Sequence, residues 1–412
     1  MGSGSKHLSH GINENQYREL VISIEEMCCI YRILVNLLKL NKEAYTPQVI
    51  SIGHFHHVSK SLEPMKKLKL KYLKRFLQRI DFNVEILVNA IKLLDNFVKL
   101  ILVDGCFLIE FFKNFSSIEE KQVIPVNNAL SSAMMDDLLL LENQLPLFVL
   151  EILFSLAYAP HDCKHPSFIA LAIDVFDSLN IKNLPQNLEV DVKHFVDLAR
   201  AFLLPSSRRL VPRNESNLAR ANHLYTETQL YKALVKFKLH KAGVKFKVSS
   251  SKCLLDLKFT NRTLKIPSMN LNNSIEAIYR NIIAFEQCHY PCDSHFTNYI
   301  VLLNFLINTT EDMDLLITKG IIINWLGSND AVVSFINNLD TNVLYDKRDV
   351  AYCQLFQDLN AFYEDPKHIW KATFKQDYFS TPSKIASTAA AVILLLLTLG
   401  QFICSIIQVV KM

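Results

Sequence analysis

The last stretch of the chain sets the terms for everything before it. Residues 385–410 run for 26 positions without a formal charge, with Lys384 before them and Lys411 after them. As a helix rising about 1.5 Å per residue, such a stretch would extend ~39 Å. The hydrocarbon core of a bilayer is about 30 Å thick, so this length can cross it with some tilt. Residues 385–410 therefore read as a transmembrane helix, and the remainder as a body tethered to one membrane.

Composition limits what that body can be. At 20% charged and 50% hydrophobic residues over 412 positions, the chain can fill a sizeable core and is no disordered polymer. A net charge of +4 is small for this length and makes no general case for nucleic acid. Glycine is scarce: nine in all, three of them (Gly2, Gly4, Gly11) near the start. Folds that cradle phosphates on glycine-rich turns are hard to build from that supply, and a mainly helical body is the simpler outcome. The nine cysteines are odd in number and scattered through apolar patterns, which suits reduced thiols rather than a disulfide framework.

Nothing in the first twenty residues resembles the apolar core of a secretory signal, and Lys6 breaks the myristoylation pattern. A C-terminal span without a leading signal predicts a tail anchor with its body in the cytosol, on the plasma membrane or an endomembrane. The lysines agree, since Lys367, Lys371, Lys375 and Lys384 precede the span and Lys411 follows it. Five Asn-x-Ser/Thr sequons (Asn114, Asn214, Asn261, Asn272, Asn308) argue for the opposite orientation.

Along the chain, residues 1–13 read as a flexible leader and 14–380 as the body. Three- and four-residue apolar spacing predicts a helix over 14–40, an extended piece over 48–55, and a helix opening at Glu63-Pro64. That last helix is the most basic in the protein. Met65, Leu68, Tyr72, Phe76 and Ile80 form its apolar stripe, while Lys66, Lys67, Lys69, Lys71, Lys74 and Arg75 form a candidate surface for anionic lipid or a partner. Helix continues over 84–115, with an interruption at 103–106. Residues 136–156 predict two core helices meeting where Pro146 frees backbone groups, which Glu142, Asn143 and Gln144 are placed to satisfy.

Further helices are predicted over 166–179, 188–204 and 224–235, with an exposed loop or linker at 205–222. Alternating polar and apolar residues in 243–248, 253–260 and 263–266 predict a small antiparallel sheet. Helical patterns then resume at 274–288, 294–307, 310–326, 330–339 and 347–378.

No catalytic constellation emerges. Adjacent His56 and His57 on an extended segment point to opposite faces, so with His54 they make a poor metal site. Cys288-His289-x2-Cys292-x2-His295 is the nearest thing to a zinc spacing but lacks the usual second, distant pair. Glu110, Glu142 and Glu286 sit in apolar runs without a matched second catalytic group. Phosphate-binding, zinc-protease and serine-hydrolase signatures are missing, and no cofactor is expected.

Several blocks occur in a fixed order: SIGHFHH at 51–57, MKKLKLKYL at 65–73, VDGCFLIEFF at 103–112, DLLLLENQLPLFVLEILF at 137–154, AGVKFK at 242–247, IYRNIIAFEQC at 278–288, the Gly320-Ile321-Ile322 segment and the span. Together they resemble the plant family called domain of unknown function 247, over nearly the whole chain from about residue 25. One departure is His54, which stands where the family usually has proline. The resemblance implies a membrane-associated protein with one C-terminal span and no established enzyme activity. Some grass members are implicated as male-side determinants of self-incompatibility, which suggests recognition.

Two functional expectations follow. The first is a non-enzymatic, membrane-anchored protein that binds an unidentified protein partner, holds the bilayer through its C-terminal helix, and has no role with nucleic acid. The second is a membrane-tethered enzyme acting on a lipid-derived or membrane-bound substrate, which requires a pocket where titratable residues converge near Glu142, Glu110 or His56.

Overall fold

The computed structural model describes residues 29–59, 62–79, 95–116, 128–158, 167–185, 191–205, 244–307, 310–341 and 381–410, with isolated positions between 352 and 379. The expected leader, most of the helix at 14–40, the helix at 224–235, Lys411 and nearly all of the 205–222 loop lie outside these residues. So does most of the helix expected at 347–378.

The protein is mostly helical. In order, α1 (Val35–Leu40), α2 (Glu63–Arg79), α3 (Asn96–Ser116), α4 (Asn128–Asp137), α5 (Leu147–Tyr158), α6 (Phe168–Val175) and α7 (Phe195–Leu203) precede four strands. These are β1 (Lys245–Val248), β2 (Lys258–Thr260), β3 (Thr263–Ile266) and β4 (Met269–Leu271). There follow α8 (Asn273–His289), α9 (His295–Leu306), α10 (Thr310–Thr318), β5 (Ile322–Asn324), α11 (Asn329–Asp340) and α12 (Pro382–Val410). The chain divides into two compact units: Met1–Pro212 with Leu271–Thr297 and Asn337–Asp346, and Arg213–Asn270 with Asn298–Ile336 and Lys347–Met412.

The core of the first unit is aromatic. The Phe112 ring meets Phe195 at 5.1 Å, Phe168 at 5.5 Å and Phe176 at 5.9 Å, all near edge-on. Such pairs each contribute about 0.5–1.5 kcal/mol beyond their area burial. Helix starts are capped from within: Ser167 Oγ accepts from Ala170 N–H, and the Glu151 carboxylate accepts from Phe168 and Ile169 N–H at 3.2 and 2.8 Å. Asn272 Oδ1 does the same for α8, accepting from Ile275 N–H at 2.9 Å.

Helix α3 runs without a break through 103–106, where an interruption was expected. Gly105 lies within the helix where it packs closely on α5: a Cβ there would lie 2.5 Å from Leu153 Cδ1. Residues 29–34 are not helical. The helix expected over 310–326 stops at Thr318. Gly320, at φ +71°, turns the chain out of it, and Ile322–Asn324 becomes a strand paired with β4.

The expected small sheet is present in the second unit, but its pairing is mixed. Its order is β1-β3-β2, with β3 antiparallel to β2 and parallel to β1. Asn261 and Arg262, at φ 49° and 63°, form the tight hairpin turn between β2 and β3. Residues 249–257 are long enough to carry the chain from one edge to the other, which leaves β1 beside β3 in the same direction.

Helix α12 is 29 residues long, apolar enough to cross a membrane, and none of its residues is buried against the rest of the protein.

Candidate functional site

The first unit is organised around segment 48–53, whose backbone is held by side chains instead of a neighbouring strand. Gln48, Val49 and Ile50 N–H all donate to the Asp137 carboxylate, at 2.8, 2.7 and 2.8 Å. Ile52 N–H donates to Asn143 Oδ1 at 2.6 Å, and Asn143 Nδ2 donates back to Ile50 O at 3.0 Å. Gly53 N–H donates to Asp104 Oδ2 at 2.8 Å, while Asp104 Oδ1 takes Lys69 Nζ at 2.5 Å. Burial pushes both aspartates above the ordinary carboxylate range, against the pull of Lys69 on Asp104 and of the three N–H groups on Asp137.

The stretch 138–146 is a turn between α4 and α5 rather than a direct meeting of two helices, and of the polar triplet ahead of Pro146 Asn143 and Gln144 satisfy nearby backbone carbonyls while Glu142 reaches farther. Gln144 Nε2 donates to Leu138 O and Leu140 O, and Gln144 Oε1 accepts from Phe195 N–H at 3.0 Å, which fixes the start of α7. Leu141 N–H donates to Asn281 Oδ1 at 2.8 Å, and Asn281 Nδ2 donates to Ala44 O at 2.8 Å. Glu142 Oε1 accepts from Ile33 N–H at 2.8 Å, and its Oε2 lies 3.3 Å from His56 Nε2. Burial raises the Glu142 carboxyl, but the bonds from His56 and Ile33 outweigh it and hold the group below its ordinary range.

A second buried set lies around α7 and α8. His194 is fully buried; its Nδ1 accepts from Asp197 N–H at 3.3 Å, so its proton sits on Nε2 and is donated to Cys29 O at 2.8 Å. Burial depresses its pKa to about 3. Together with Glu142 at Ile33, this bond ties residues 29–34, which carry no helix, to the body. Arg200 Nε donates to Glu286 Oε1 at 2.9 Å, and its guanidinium lies 4.0 Å from the Tyr290 ring centre. Glu286 also accepts from Phe296 and Thr297 N–H, at 3.2 and 2.8 Å, where α9 begins.

Asp104, Asp137, Glu142 and His194 combine burial with the shifted proton affinities that often mark active sites. Most of the polar atoms described above are nevertheless committed to backbone or to an opposite charge, as in a structural network.

The basic helix divides into two faces. Lys66, Lys67, Lys71 and Lys74 are exposed, with Leu70 among them at 57% exposure. Lys69 and Arg75, expected on the outer surface, turn inward instead. Lys69 is buried on Asp104, and Arg75 Nε pairs with buried Glu110 at 3.1 Å. The two pairs are six positions apart on both α2 and α3, so the helices lie side by side in the same sense. A basic run read from sequence alone hides this, because the acids that draw two cations inward lie on another helix. Lys384, just before the span, is exposed near the start of α12.

The histidines turn three ways: His54 stacks on His57 at 5.1 Å, His57 Nδ1 meets His54 O, and His56 faces Glu142. Near the zinc-like spacing, His289 Nδ1 meets the Tyr31 hydroxyl at 2.6 Å and His295 Nε2 lies 2.7 Å from Asp293. No group of three or more potential metal ligands occurs among the described residues.

A surface cleft of about 320 Å³ in the first unit is lined by Asn128, Ser131, Ser132, Asp136 and Ser178 with apolar neighbours. Asp136 there is raised by burial and accepts from Ser274 Oγ at 3.4 Å. The cleft lies apart from Glu142, Glu110 and His56 and is lined by none of them.

A mostly helical body with a long apolar C-terminal helix is thus the class of protein defined by the fold. The chain belongs to the DUF247 family, described as plant protein of unknown function, whose sequence profile matches residues 30–397. It is similar to UPF0481 protein At3g47200 of Arabidopsis thaliana, with 27% identity covering 93% of this chain and 87% of that one. It is also similar to putative UPF0481 protein At3g02645 of the same plant, with 22% identity covering 95% and 92% of the two chains. No solved structure gives a significant match.

Proposed function

We propose that the chain is a non-enzymatic, single-pass membrane protein whose helical body binds a protein partner from the cytosolic side of the plasma membrane or an endomembrane. The observation that carries this reading is α12: 29 apolar-rich residues with none buried, whose uncharged stretch 385–410 lies between Lys384 and Lys411. In water, its contiguous row of exposed Leu, Ile, Val and Phe would be a severe aggregation liability; in a bilayer it is satisfied. Four lysines before the span against one after it support the cytosolic side.

Partner binding draws support from the outer face of α2, where Lys66, Lys67, Lys71 and Lys74 surround an exposed Leu70. A charged rim around an apolar anchor suits a protein interface. The test is alkaline extraction of membranes followed by crosslinking from cysteines placed at Lys67 and Lys71 in the full-length chain. Retention in the membrane pellet with one saturable crosslinked protein is expected. Release of the chain into the alkaline supernatant would overturn the anchor. If crosslinking from both positions yields only lipid, the partner surface on α2 is wrong.

A further inference from the structure

The small sheet of the second unit presents an unusual arrangement of charge. In register across it stand Lys247, Lys265 and Lys258, one on each strand, and Lys245 is on the same face of β1 two residues earlier. All four are exposed. Like charges directly opposite in a sheet destabilise it, and the only carboxylate paired with any of them among the described residues is Asp256, on Lys258 at 3.1 Å. The opposite face is apolar, with Phe246 beside Leu264 and Phe259.

Strand β1 is an edge. Lys245 N–H donates to Arg262 O and Ser249 N–H to Ile266 O, both at 2.8 Å, so the odd-numbered backbone groups of β1 are spent on β3. The N–H and C=O groups of Phe246 and Val248 then point outward, where no described strand lies. Along that side runs a groove of about 680 Å³ lined by residues 244–248 together with Leu315 of α10 and Lys319 just after it. No residue of β3 lines it, so it opens at the outer edge of the sheet. Lys319 is exposed and adds another cation beside it.

We propose that this groove receives an extended segment of a partner protein that adds to β1 as a fourth strand and alternates acidic with apolar side chains. The outward donors and acceptors of Phe246 and Val248, which have no partner among the described residues, would bond its backbone. An added strand places successive side chains on opposite faces. Its acidic residues would therefore continue the row begun by Lys245 and Lys247, and its apolar residues would lie on the side of Phe246 and Val248. Charge complementarity selects this occupant: a second copy pairing through its own β1 would set lysines against lysines, which blunts an edge against self-association. The inference rests on the interaction reading above and names the chemistry of the partner.

The test is titration of the full-length chain in neutral-lipid nanodiscs with a synthetic peptide alternating Glu and Val. Saturable one-to-one binding is expected. A peptide N-methylated on alternate residues, which lacks the outward donors, should bind about tenfold more weakly or worse. Val248→Pro removes an edge N–H without touching the ladder to β3 and should weaken binding similarly, and Lys245→Glu with Lys247→Glu should abolish it. Equal binding of the N-methylated peptide would overturn strand addition and leave charge attraction alone. No binding of the parent peptide, or a concentration-dependent dimer lost on Val248→Pro, would overturn the proposal. A partner crosslinked at Lys67 but protected by neither peptide would sink this inference and leave the interaction reading standing.

Discussion

Arg200 and Glu286 meet at 2.9 Å with side chains 5% and 0% exposed, joining α7 to α8 through a buried charge pair. Breaking such a pair leaves the remaining charge buried and uncompensated, at a cost of about 3–5 kcal/mol. Arg200→Met should therefore lower stability by that amount in urea unfolding of the body. Adding Glu286→Leu should not restore it, because Phe296 and Thr297 N–H would then lose their acceptor. Recovery to wild-type stability in the double variant would mean that the carboxylate matters only to Arg200.

His194 makes a pH prediction with a definite sign. Its folded pKa of about 3 lies below the ordinary 6.5, so the unfolded chain binds a proton that the folded one refuses. Stability should fall as pH drops below about 6.5 and continue falling toward 3, by about 2 kcal/mol between pH 7 and pH 5. Asp104, Asp137 and Asp197 have raised carboxyls and act in the opposite sense, favouring the fold as pH falls. The measurement is accordingly the difference between wild type and His194→Gln, which should lose the acid-dependent term. Parallel pH profiles for the two would show that the imidazole titrates normally.

Gly53 sits at φ +72°, and a Cβ there would come 2.8 Å from Gln144 O. Both the left-handed backbone and the contact with a fixed carbonyl disfavour any side chain. Gly53→Ala should destabilise the first unit by about 2–4 kcal/mol, read from thermal unfolding, whereas Gly327→Ala, at φ +95° with open space around it, should cost less. The reverse order would show that the turn at Gly53 relaxes freely.

Orientation can be read from the hairpin turn. Asn261 lies exposed between β2 and β3, while Asn114 is buried at 9% exposure and closed to modification. A cytosolic body should leave Asn261 unglycosylated in plant cells. An endoglycosidase-sensitive shift lost on Asn261→Gln would place the body on the other side.

Much of the first unit was legible in the sequence because its signals are local. Asn143 and Gln144 precede a proline and bond nearby backbone carbonyls at 137, 138 and 140, while Glu142 turns instead to Ile33 and His56. What they hold was not legible: Asn143 reaches Ile52 across 91 positions and Asp137 reaches Ile50 across 87. Lys69 and Arg75 read as surface because neither Asp104 nor Glu110 is a helical neighbour of theirs in sequence. The parallel pairing of β1 was hidden for a related reason, since alternation shows that a strand exists and not which edge it joins. The stop at Gly320 could have been read, as a glycine after a helical run is a common terminator.

The stitching of the N-terminal segment by distant side chains also sets an order of assembly. Ala44 awaits Asn281, 237 residues later, and Cys29 awaits His194. At 5–20 residues per second, a ribosome takes about 10–50 s to deliver that partner. Throughout that interval Ala44 O lacks its native donor, whereas Asp104, Asp137 and Glu142 arrive sooner to accept from the N–H groups of Gly53, Ile50 and Ile33, so this segment is stitched in stages and Ala44 is secured late.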